Sequence, residues 1–254
     1  MPHAIVTGAS SGLGYEFARQ LAKKGFDITG VARRESRLNK LREEIETETG
    51  SSFTSVVADL QNNRSVELIK NAFRDDTSVF INNAGLGIRG AFCEMSEENI
   101  HTMIQVNLSA LTDLFLMATK RFVNKTGENY ILNVASVAGF SPVPWFAVYG
   151  ATKSYVRSLS LAVAEELKNT HTSISVLSPG PVKTEFFKDS ELTTLHKASV
   201  LWSTPEEVVR KALRGLFSGK KEIITGNIFM MQKFFSDHFP DPVTVKLAGK
   251  IFRD

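Results

Sequence analysis

Short apolar runs alternate with amphipathic segments along most of the chain. The apolar runs are bounded by glycine or polar residues, as buried strands are. They cover 4–7, 26–32, 53–58, 79–82, 130–135 and 174–177. Apolar residues recur at helical spacing after residue 14 and over about 35–49, 63–73, 97–123 and 149–168. This alternation predicts βαβ units, in which helices connect the parallel strands of one sheet by right-handed crossovers.

Length and composition place these elements in one domain. The chain has 254 residues with no internal repeat and no linker, so we expect 1–254 to be a single doubly wound α/β domain. Its 43% hydrophobic and 22% charged residues are ordinary for a soluble globular protein. The net charge of +3 is too small to indicate nucleic-acid binding without a clustered basic patch.

The single cysteine and the first residues bear on cellular location. Cys93 has no partner for an internal disulfide, which fits a reducing compartment. Residues 1–3 lead directly into an apolar strand, and the basic region and long apolar run of a secretory signal are not seen there. No window approaches ~18 consecutive apolar residues, the length of a transmembrane helix. We therefore expect a cytoplasmic protein without a secretory signal or a transmembrane helix. No metal ligands are assigned.

A glycine-rich segment follows the first predicted strand. Gly8, Gly12 and Gly14 lie between that strand and a helical pattern that contains Phe17 and Leu21. Glycines at such a turn let the backbone approach a pyrophosphate, which the N–H groups and dipole of the helix N-terminus stabilise. The spacing G-x-x-x-G-x-G differs from G-x-G-x-x-G, so taken alone the segment also fits a tight turn. Its position favours a phosphate-binding loop.

Two arginines end the second predicted strand. Dinucleotide sites that bind NAD place a carboxylate on the adenine ribose about 20 residues after the glycines. Arg33 and Arg34 stand there instead, and their guanidinium forks match the oxygens of a 2′-phosphate. The alternative is an ordinary pair of surface arginines. The position favours NADP over NAD.

Tyr149 and Lys153 are four residues apart on a predicted helix and therefore share one face of it. A nearby ammonium favours the ionised phenol, so we expect the pKa of Tyr149 to fall from about 10 toward neutral pH. Such a group serves as both acid and base, as reversible carbonyl reduction requires. The spacing alone is also common on solvated helix faces, so the accompanying motifs decide the interpretation.

With these motifs assembled, the chain resembles the short-chain dehydrogenase/reductase superfamily. The resemblance runs from residue 4 to about residue 226 and depends on motifs that occur in the expected order. They are TGASSGLG at 7–14, Asp59-Leu60, NNAG at 82–85, Asn107, Ser136, Tyr149-x-x-x-Lys153 and PGPVKT at 179–184. It implies a Rossmann-like, mainly parallel sheet of seven strands, the seventh near Glu222–Thr225.

The resemblance also implies catalytic roles. Tyr149 would protonate the substrate oxygen as hydride arrives from the nicotinamide, while Lys153 would lower the Tyr149 pKa and hold the nicotinamide ribose. Ser136, which lies 13 residues before Tyr149, would hydrogen-bond the substrate oxygen, although a serine there also suits a cap. Asn107 would hold a water that relays protons to Lys153; the alternative is a polar residue on the helix surface.

A larger set of positions would bind the dinucleotide. Asp59 would contact the adenine, 83–85 would line the adenosine side and steady the sheet, and 179–184 would meet the nicotinamide end. Taken singly, Asp59 also fits a strand-end acid, and 179–180 an ordinary turn. Ser11 stands where some NADP-preferring members carry a basic residue, so the NADP prediction depends on the two arginines alone. The full implied set is Gly8, Ser10, Ser11, Gly12, Leu13, Gly14, Arg33, Arg34, Asp59, Leu60, Asn83, Ala84, Gly85, Tyr149, Lys153, Pro179, Gly180, Val182 and Thr184.

Two segments are expected to shape the substrate pocket. One is 140–146, and the other is the loop 183–203, which often folds over substrate in the family. Their apolar and aromatic side chains indicate a fairly hydrophobic carbonyl or alcohol, with about half of those in the loop packing against the core. The predicted substrate residues are Ser136, Phe140, Trp145, Tyr149 and Phe186.

Residues 227–254 extend beyond the resemblance. Apolar residues at 228–231 and 234–235 precede a predicted short amphipathic helix at 243–252. Three interpretations stay open for this tail. In order of preference they are packing on the pocket or the domain's own core, a subunit interface, and contact with a membrane surface.

We therefore predict an NADP-dependent oxidoreductase that interconverts a ketone or aldehyde and an alcohol. The resemblance implies a homodimer or homotetramer. Among enzymes, the alternative is reduction of a C=N or activated C=C bond on the same scaffold. Outside enzymes, the alternative is a non-catalytic NADP-binding regulator, but such chains usually lose part of the tetrad of Asn107, Ser136, Tyr149 and Lys153, which is intact here. Nucleic-acid binding has only the mild basicity in its favour.

Overall fold

Seven strands form one sheet in the computed structural model, which describes residues 1–62, 64–187 and 202–226, together with Val245. The strands are β1 (His3–Thr7), β2 (Asp27–Ala32), β3 (Phe53–Val57), β4 (Thr77–Asn82), β5 (Asn129–Val134), β6 (Thr172–Pro179) and β7 (Glu222–Thr225). They run in the order β3-β2-β1-β4-β5-β6-β7, and every neighbouring pair is parallel. The predicted parallel sheet is confirmed, including its seventh strand.

Helices connect the strands. They are α1 (Gly12–Ala22), α2 (Glu35–Thr49), α3 (Arg64–Asn71), α4 (Glu97–Ile104), α5 (Leu111–Phe122), α6 (Ala147–Glu166) and α7 (Pro205–Phe217). α2 ends where the sequence predicts, because Gly50 adopts the left-handed conformation (φ 69°) that closes its last turn. A π-helical turn, Gln105–Ala110, joins α4 to α5, so the long helix predicted over 97–123 is widened at its centre.

Two hydrophobic cores cover the two faces of the sheet. Successive side chains of a strand point to opposite faces, so the central strand β1 contributes to both. Ala4 and Val6 pack in the core beneath α1, α2 and α7, together with Phe17. Ile5 packs in the other core, to which α3, α5 and α6 contribute, together with Leu114. The doubly wound arrangement with helices on both faces is therefore confirmed.

The strand order reverses between β1 and β4, and this reversal places the site. β2 and β3 extend the sheet on one side of β1, and β5 to β7 extend it beyond β4 on the other. In open parallel sheets, ligands bind at the carboxyl ends of the strands where the order reverses. The glycine turn, the arginine pair, the segment 83–85, Ser136 and the segment 179–184 each follow or end a strand at this edge.

Some sequence predictions fall outside the described residues. They include positions 188–201 of the predicted substrate loop 183–203, and the tail 227–254 apart from Val245. Among the helices of the described part of the chain, none combines the length and hydropathy that crossing a bilayer requires.

Candidate active site

The turn between β1 and α1 contains glycines at positions where a side chain has no room. Gly8 has a φ of 71°, and a Cβ there would come within 2.8 Å of Asn83 Nδ2. A Cβ on Gly14 would overlap the carbonyl oxygen of Gly8 and lie 2.5 Å from Asn83 Nδ2. Ser11 is the N-cap of α1 but its side chain makes no capping hydrogen bond, so its hydroxyl leaves the first N–H groups of α1 open to a ligand anion.

Thr7 joins the ends of β1 and β4 beneath this turn. Its Oγ1 accepts hydrogen bonds from the N–H groups of Asn83 (2.9 Å) and Ala84 (3.0 Å). In return, Asn83 Nδ2 donates to the Thr7 carbonyl oxygen at 2.9 Å. These contacts hold the segment 83–85 against the glycine turn, which agrees with the expectation that it steadies the sheet.

A cleft of about 750 Å³ opens along the carboxyl edge of the sheet, a volume typical of small-molecule sites. Every residue of the predicted dinucleotide set lines it except Gly14, which packs behind the turn. A glycine turn, an open helix N-terminus and a group of guanidiniums are features that suit a ligand with several phosphate groups. The residues present therefore fit a nicotinamide dinucleotide.

Arg34 and Arg37 meet one carboxylate at the rim of the cleft. Arg34 donates from Nε and Nη2 to Ser10 Oγ (3.2 and 3.0 Å) and from Nη2 to Ser11 Oγ (2.8 Å). Its Nη1 lies 3.2 Å from a carboxylate oxygen of Glu185, and Arg37 Nη1 lies 2.8 Å from both oxygens of the same group. The guanidinium of Arg34 is thus held in place before any ligand binds.

Sequence reasoning missed Arg37 and Glu185, which also line the cleft. Arg37 follows Arg34 by three residues across the start of α2, and this i, i+3 spacing was an available signal. Glu185 carried no comparable signal, because it lies 148 residues from Arg37 along the chain. Arg33 lines the same cleft and makes neither a hydrogen bond nor an ion pair with any residue that the structure describes.

The predicted catalytic side chains converge on the cleft floor. Tyr149 and Lys153 are 7% and 4% exposed on α6, which excludes the solvated-face interpretation. Lys153 Nζ donates to the carbonyl oxygen of Val134 at 3.0 Å and lies 5.6 Å from the centre of the Tyr149 ring. Ser136 Oγ accepts the N–H of Ala138, and the Ser136 hydroxyl is near enough to Tyr149 to favour the ionised phenol. Ser136 is therefore a cap, and its hydrogen bond to a substrate oxygen stays a prediction.

The prediction that the Tyr149 pKa falls is wrong. Burial raises the pKa of Tyr149 to about 12, and the hydrogen bond from Ser136 opposes the rise only in part. Burial likewise lowers the pKa of Lys153 to about 8. The i, i+4 argument considered the attraction between the two groups and omitted the free energy of taking each of them out of water.

Asn107 lies in the π-helical turn and is fully buried, which excludes a surface role. Its Oδ1 accepts the N–H of Leu86 (3.0 Å), while its Nδ2 donates to the Leu86 carbonyl (2.8 Å) and to Thr152 Oγ1 (3.2 Å). A Cβ on Gly85 would lie 3.2 Å from Asn107 Oδ1 and 3.3 Å from Lys153 Nζ. Asn107 thus ties the segment after β4 to α6, beside Lys153; the water relay stays a prediction.

An apolar cluster surrounds Tyr149 on the substrate side. The ring centres of Phe186 and Phe146 lie 5.7 and 6.0 Å from that of Tyr149. Met103 packs in the same cluster, with Trp202 against it. Leu86 also packs there and lines the cleft, and sequence reasoning missed it because no pattern marks the loop after 83–85 as part of the pocket.

Two predicted substrate residues lie outside the cleft lining. The centre of the Phe140 ring lies 5.3 Å from the guanidinium carbon of Arg157 of α6. Trp145 has a φ of 63°, which is rare for a large side chain, and its carbonyl accepts the N–H of Gly90 at 2.9 Å. Neither residue lines the cleft that the structure describes, so their contact with a substrate stays a prediction.

Comparison with known proteins agrees with this geometry. A short chain dehydrogenase family model matches residues 2–194. An uncharacterised oxidoreductase of Staphylococcus epidermidis is 33% identical over 71% of this chain and 78% of its own length. A very-long-chain 3-oxoacyl-CoA reductase of Mycosarcoma maydis is 31% identical over 84% of this chain but 61% of its own length.

A solved structure gives the same result for the fold. The short-chain dehydrogenase from Sphingobium yanoikuyae in complex with NADPH superposes with a TM-score of 0.83 and 27% identity, covering 94% of this chain and 97% of that one. The family model alone spans most of the chain, and the site residues lie together at the expected edge of the sheet. The chain therefore belongs to the short-chain dehydrogenase/reductase family and is an oxidoreductase.

Proposed function

We propose that the protein interconverts a ketone or aldehyde and an alcohol with NADP(H), using Tyr149 as the general acid and base. The observation that carries this proposal is the convergence of Tyr149, Ser136 and Lys153 at the floor of a cleft that fits a dinucleotide. Residues that are far apart in the sequence can take part in one reaction only when the fold brings them together in this way.

The bound nicotinamide supplies or accepts the hydride. With its raised pKa, Tyr149 is protonated at neutral pH and is ready to donate its proton to a carbonyl oxygen. The Ser136 hydroxyl is a near neighbour of the Tyr149 hydroxyl, so a carbonyl oxygen placed between the two would receive both hydrogen bonds. Lys153, held by the Val134 carbonyl, places an ammonium where it stabilises the phenolate left by proton donation.

We assign the preference for NADP to the arginines at the rim of the cleft. Arg33 and Arg34 follow β2, and Arg37 adds a third guanidinium one turn into α2. A phosphomonoester carries about −1.5 to −2 charges near neutral pH and pairs with guanidiniums through several oxygens. Ser11, which stands where some members are basic, supports this group by bonding Arg34.

The substrate side favours a hydrophobic carbonyl compound. Phe146, Phe186 and Trp202 surround Tyr149 and provide apolar surface for a chain or ring next to the reacting group. The similarity to a very-long-chain 3-oxoacyl-CoA reductase is consistent with an apolar substrate. The enzymatic alternative is reduction of C=N or activated C=C bonds. The neighbouring hydroxyls of Ser136 and Tyr149 suit the oxygen atom of a carbonyl substrate and therefore favour carbonyl reduction.

The test is NADPH and NADH turnover over a panel of aldehydes, ketones, quinones and imines, with Tyr149→Phe beside the wild type. We expect NADPH-dependent carbonyl reduction that falls by about 100-fold or more in the variant, because a positioned acid contributes that much. Tyr155→Phe is the matched control, because Tyr155 lies on the same helix and its hydroxyl bonds Thr112 at the surface, away from the cleft. Equal turnover in wild type and Tyr149→Phe would contradict the role of Tyr149.

Equal inactivity with tight NADPH binding would favour the non-catalytic regulator. We also propose a homodimer or homotetramer, because Ile104 and Leu116 expose apolar surface on consecutive helices. A cytoplasmic location is proposed from the exposed free thiol of Cys93, which a reducing compartment preserves.

A further inference from the structure

Glu185 lies at the junction between the arginine group and the catalytic cluster. It opens a short 3₁₀ turn, Glu185–Phe187, in the segment that follows β6. Its carboxylate makes ion pairs with Arg34 (3.2 Å) and Arg37 (2.8 Å). Its neighbour Phe186 packs on Tyr149. One short turn therefore contacts both the predicted phosphate-binding residues and the general acid.

The same segment is anchored on its other side. Lys183 donates its N–H to Ser203, and Ser203 donates its own to Pro181. Thr184 packs against the glycine turn, where a Cβ on Gly12 would lie 3.1 Å from its methyl group. The Glu185 side chain, in contrast, is about one third exposed, and the two guanidiniums are its only ion-pair partners among the residues that the structure describes. It is thus free to leave them while the backbone around it stays in place.

We propose that Glu185 is an internal counter-ion that competes with the cofactor's 2′-phosphate for Arg34 and Arg37, and so sets the NADPH-over-NADH preference. This inference depends on the proposed NADP binding and extends it to a residue that no nucleotide-binding motif contains. The wild-type preference is then a compromise: the arginines attract the phosphate, and Glu185 reduces that attraction for as long as it occupies them.

The charges decide which ligand wins. A carboxylate contributes one negative charge and two oxygens, whereas a phosphomonoester contributes about −1.5 to −2 charges and three oxygens. Partly exposed ion pairs such as these stabilise the protein only weakly, so the phosphate displaces Glu185 at a small loss. NADH has a ribose hydroxyl at this position, which neither needs the arginines nor removes Glu185 from them.

A second arrangement of these contacts predicts the opposite effect of Glu185 on NADPH binding. If Glu185 stayed paired with Arg34 and Arg37 as a strap across a bound dinucleotide, both cofactors would depend on it. Removing the charge would then weaken NADPH and NADH alike. The sign of the effect on NADPH therefore separates the two arrangements.

The experiment measures cofactor binding without turnover. Dissociation constants for NADPH, NADH, adenosine 2′,5′-bisphosphate and 5′-AMP are determined by titration for wild type and Glu185→Gln, in low-salt buffer without phosphate. We expect NADPH and the bisphosphate to bind about three- to tenfold more tightly to the variant, with NADH and 5′-AMP unchanged. Glu206→Gln is the matched control, because it removes one exposed charge from the neighbouring surface without contact to either arginine.

A double-mutant cycle with Arg37→Gln tests whether Glu185 acts through that arginine. Alone, Arg37→Gln should weaken NADPH and leave NADH unchanged, and in its background the gain from Glu185→Gln should shrink because the two effects share one contact. An unchanged or weaker NADPH affinity in Glu185→Gln, or an equal gain for NADH, would overturn the inference while leaving NADP binding intact. If wild type and Arg34→Gln bound NADPH no better than NADH, the proposed cofactor preference itself would fail, and the inference with it.

Discussion

At the scale of single residues, burial controls the chemistry of the site more than the pairing of charges does. Tyr149 and Lys153 are neighbours on α6, yet the pKa of Tyr149 is raised and the pKa of Lys153 is lowered. Both shifts favour the neutral form of the side chain. A buried group that is not ionised costs less desolvation free energy than a buried ion. Tyr149 is therefore prepared as a proton donor, which suits the reducing direction of the proposed reaction.

The two reaction directions should accordingly respond differently to pH. Carbonyl reduction needs the phenol, which is present throughout the neutral range when the pKa is about 12. Alcohol oxidation needs the phenolate, whose fraction rises about tenfold per pH unit below that pKa. We therefore expect the reductive kcat to be nearly constant from about pH 6 to about pH 7.5. The oxidative kcat should rise with pH over the same range.

Initial rates in both directions with one alcohol and ketone pair provide this measurement. The rise in the oxidative rate should weaken above pH 8, because Lys153, with a pKa of about 8, then loses the charge that stabilises the phenolate. Lys153→Met should lower the oxidative rate without that inflection. An oxidative rate that does not change with pH would show that Tyr149 is not the titrating base.

At the scale of elements, close packing explains why the glycine turn has the composition it has. Gly14 lies within α1, where replacing glycine by alanine ordinarily stabilises a helix by about 0.5–1 kcal/mol. Here the added methyl group would overlap the Gly8 carbonyl and press on Asn83 Nδ2. The contact between α1 and the strand ends therefore outweighs helix propensity.

Gly14→Ala should destabilise the protein and weaken cofactor binding. Moving the backbone at an overpacked contact costs about 1–3 kcal/mol, which corresponds to a fall in Tm of about 2–10 °C for a chain of this size. Thermal unfolding and an NADPH titration measure the two effects. Gly25→Asn is the control, since Gly25 follows α1 with a φ of 85° and open space around it, and asparagine tolerates that conformation. A Tm as high as that of wild type would contradict the packing argument.

At the scale of the whole molecule, local sequence patterns predicted the fold well. They predicted the site only in part, because some of its contacts join residues that are far apart in the sequence. Apolar runs and helical periodicity are local, and they located β1 to β6 and α1 to α6 to within a few residues. The strand β7 was expected only from the family resemblance, and α7 was not predicted. The cleft also gathers most of the motif residues, because many of them follow strands at one edge of the sheet. The pairing of Glu185 with Arg37 and the direction of the Trp145 loop depend on tertiary contacts that no local pattern records.

His3 connects three strands at the edge of the sheet opposite the cleft. It is 1% exposed, and its ring nitrogens hydrogen-bond Thr77 of β4 (2.7 Å) and Thr29 of β2 (2.9 Å). Burial lowers the pKa of His3 to about 4, and Arg74 and Lys125 act in the same direction, opposed by Asp76 and Asp27. The folded protein therefore keeps this imidazole neutral in a pH range where an unfolded chain protonates it.

The free energy of unfolding should depend on pH through His3. The folded pKa lies below the unfolded value of 6.5, so the contribution is complete above pH 6.5 and is lost as the pH falls toward 4. We expect the Tm of wild type to fall by about 5 °C between pH 7.5 and 5.5, where carboxylates hardly titrate. His3→Gln should be less stable at pH 7.5, because it leaves one threonine hydroxyl without its partner, and its Tm should change less with pH. Parallel scanning calorimetry of the two proteins makes the comparison, and equal pH dependence in both would show that the imidazole is not the group that titrates.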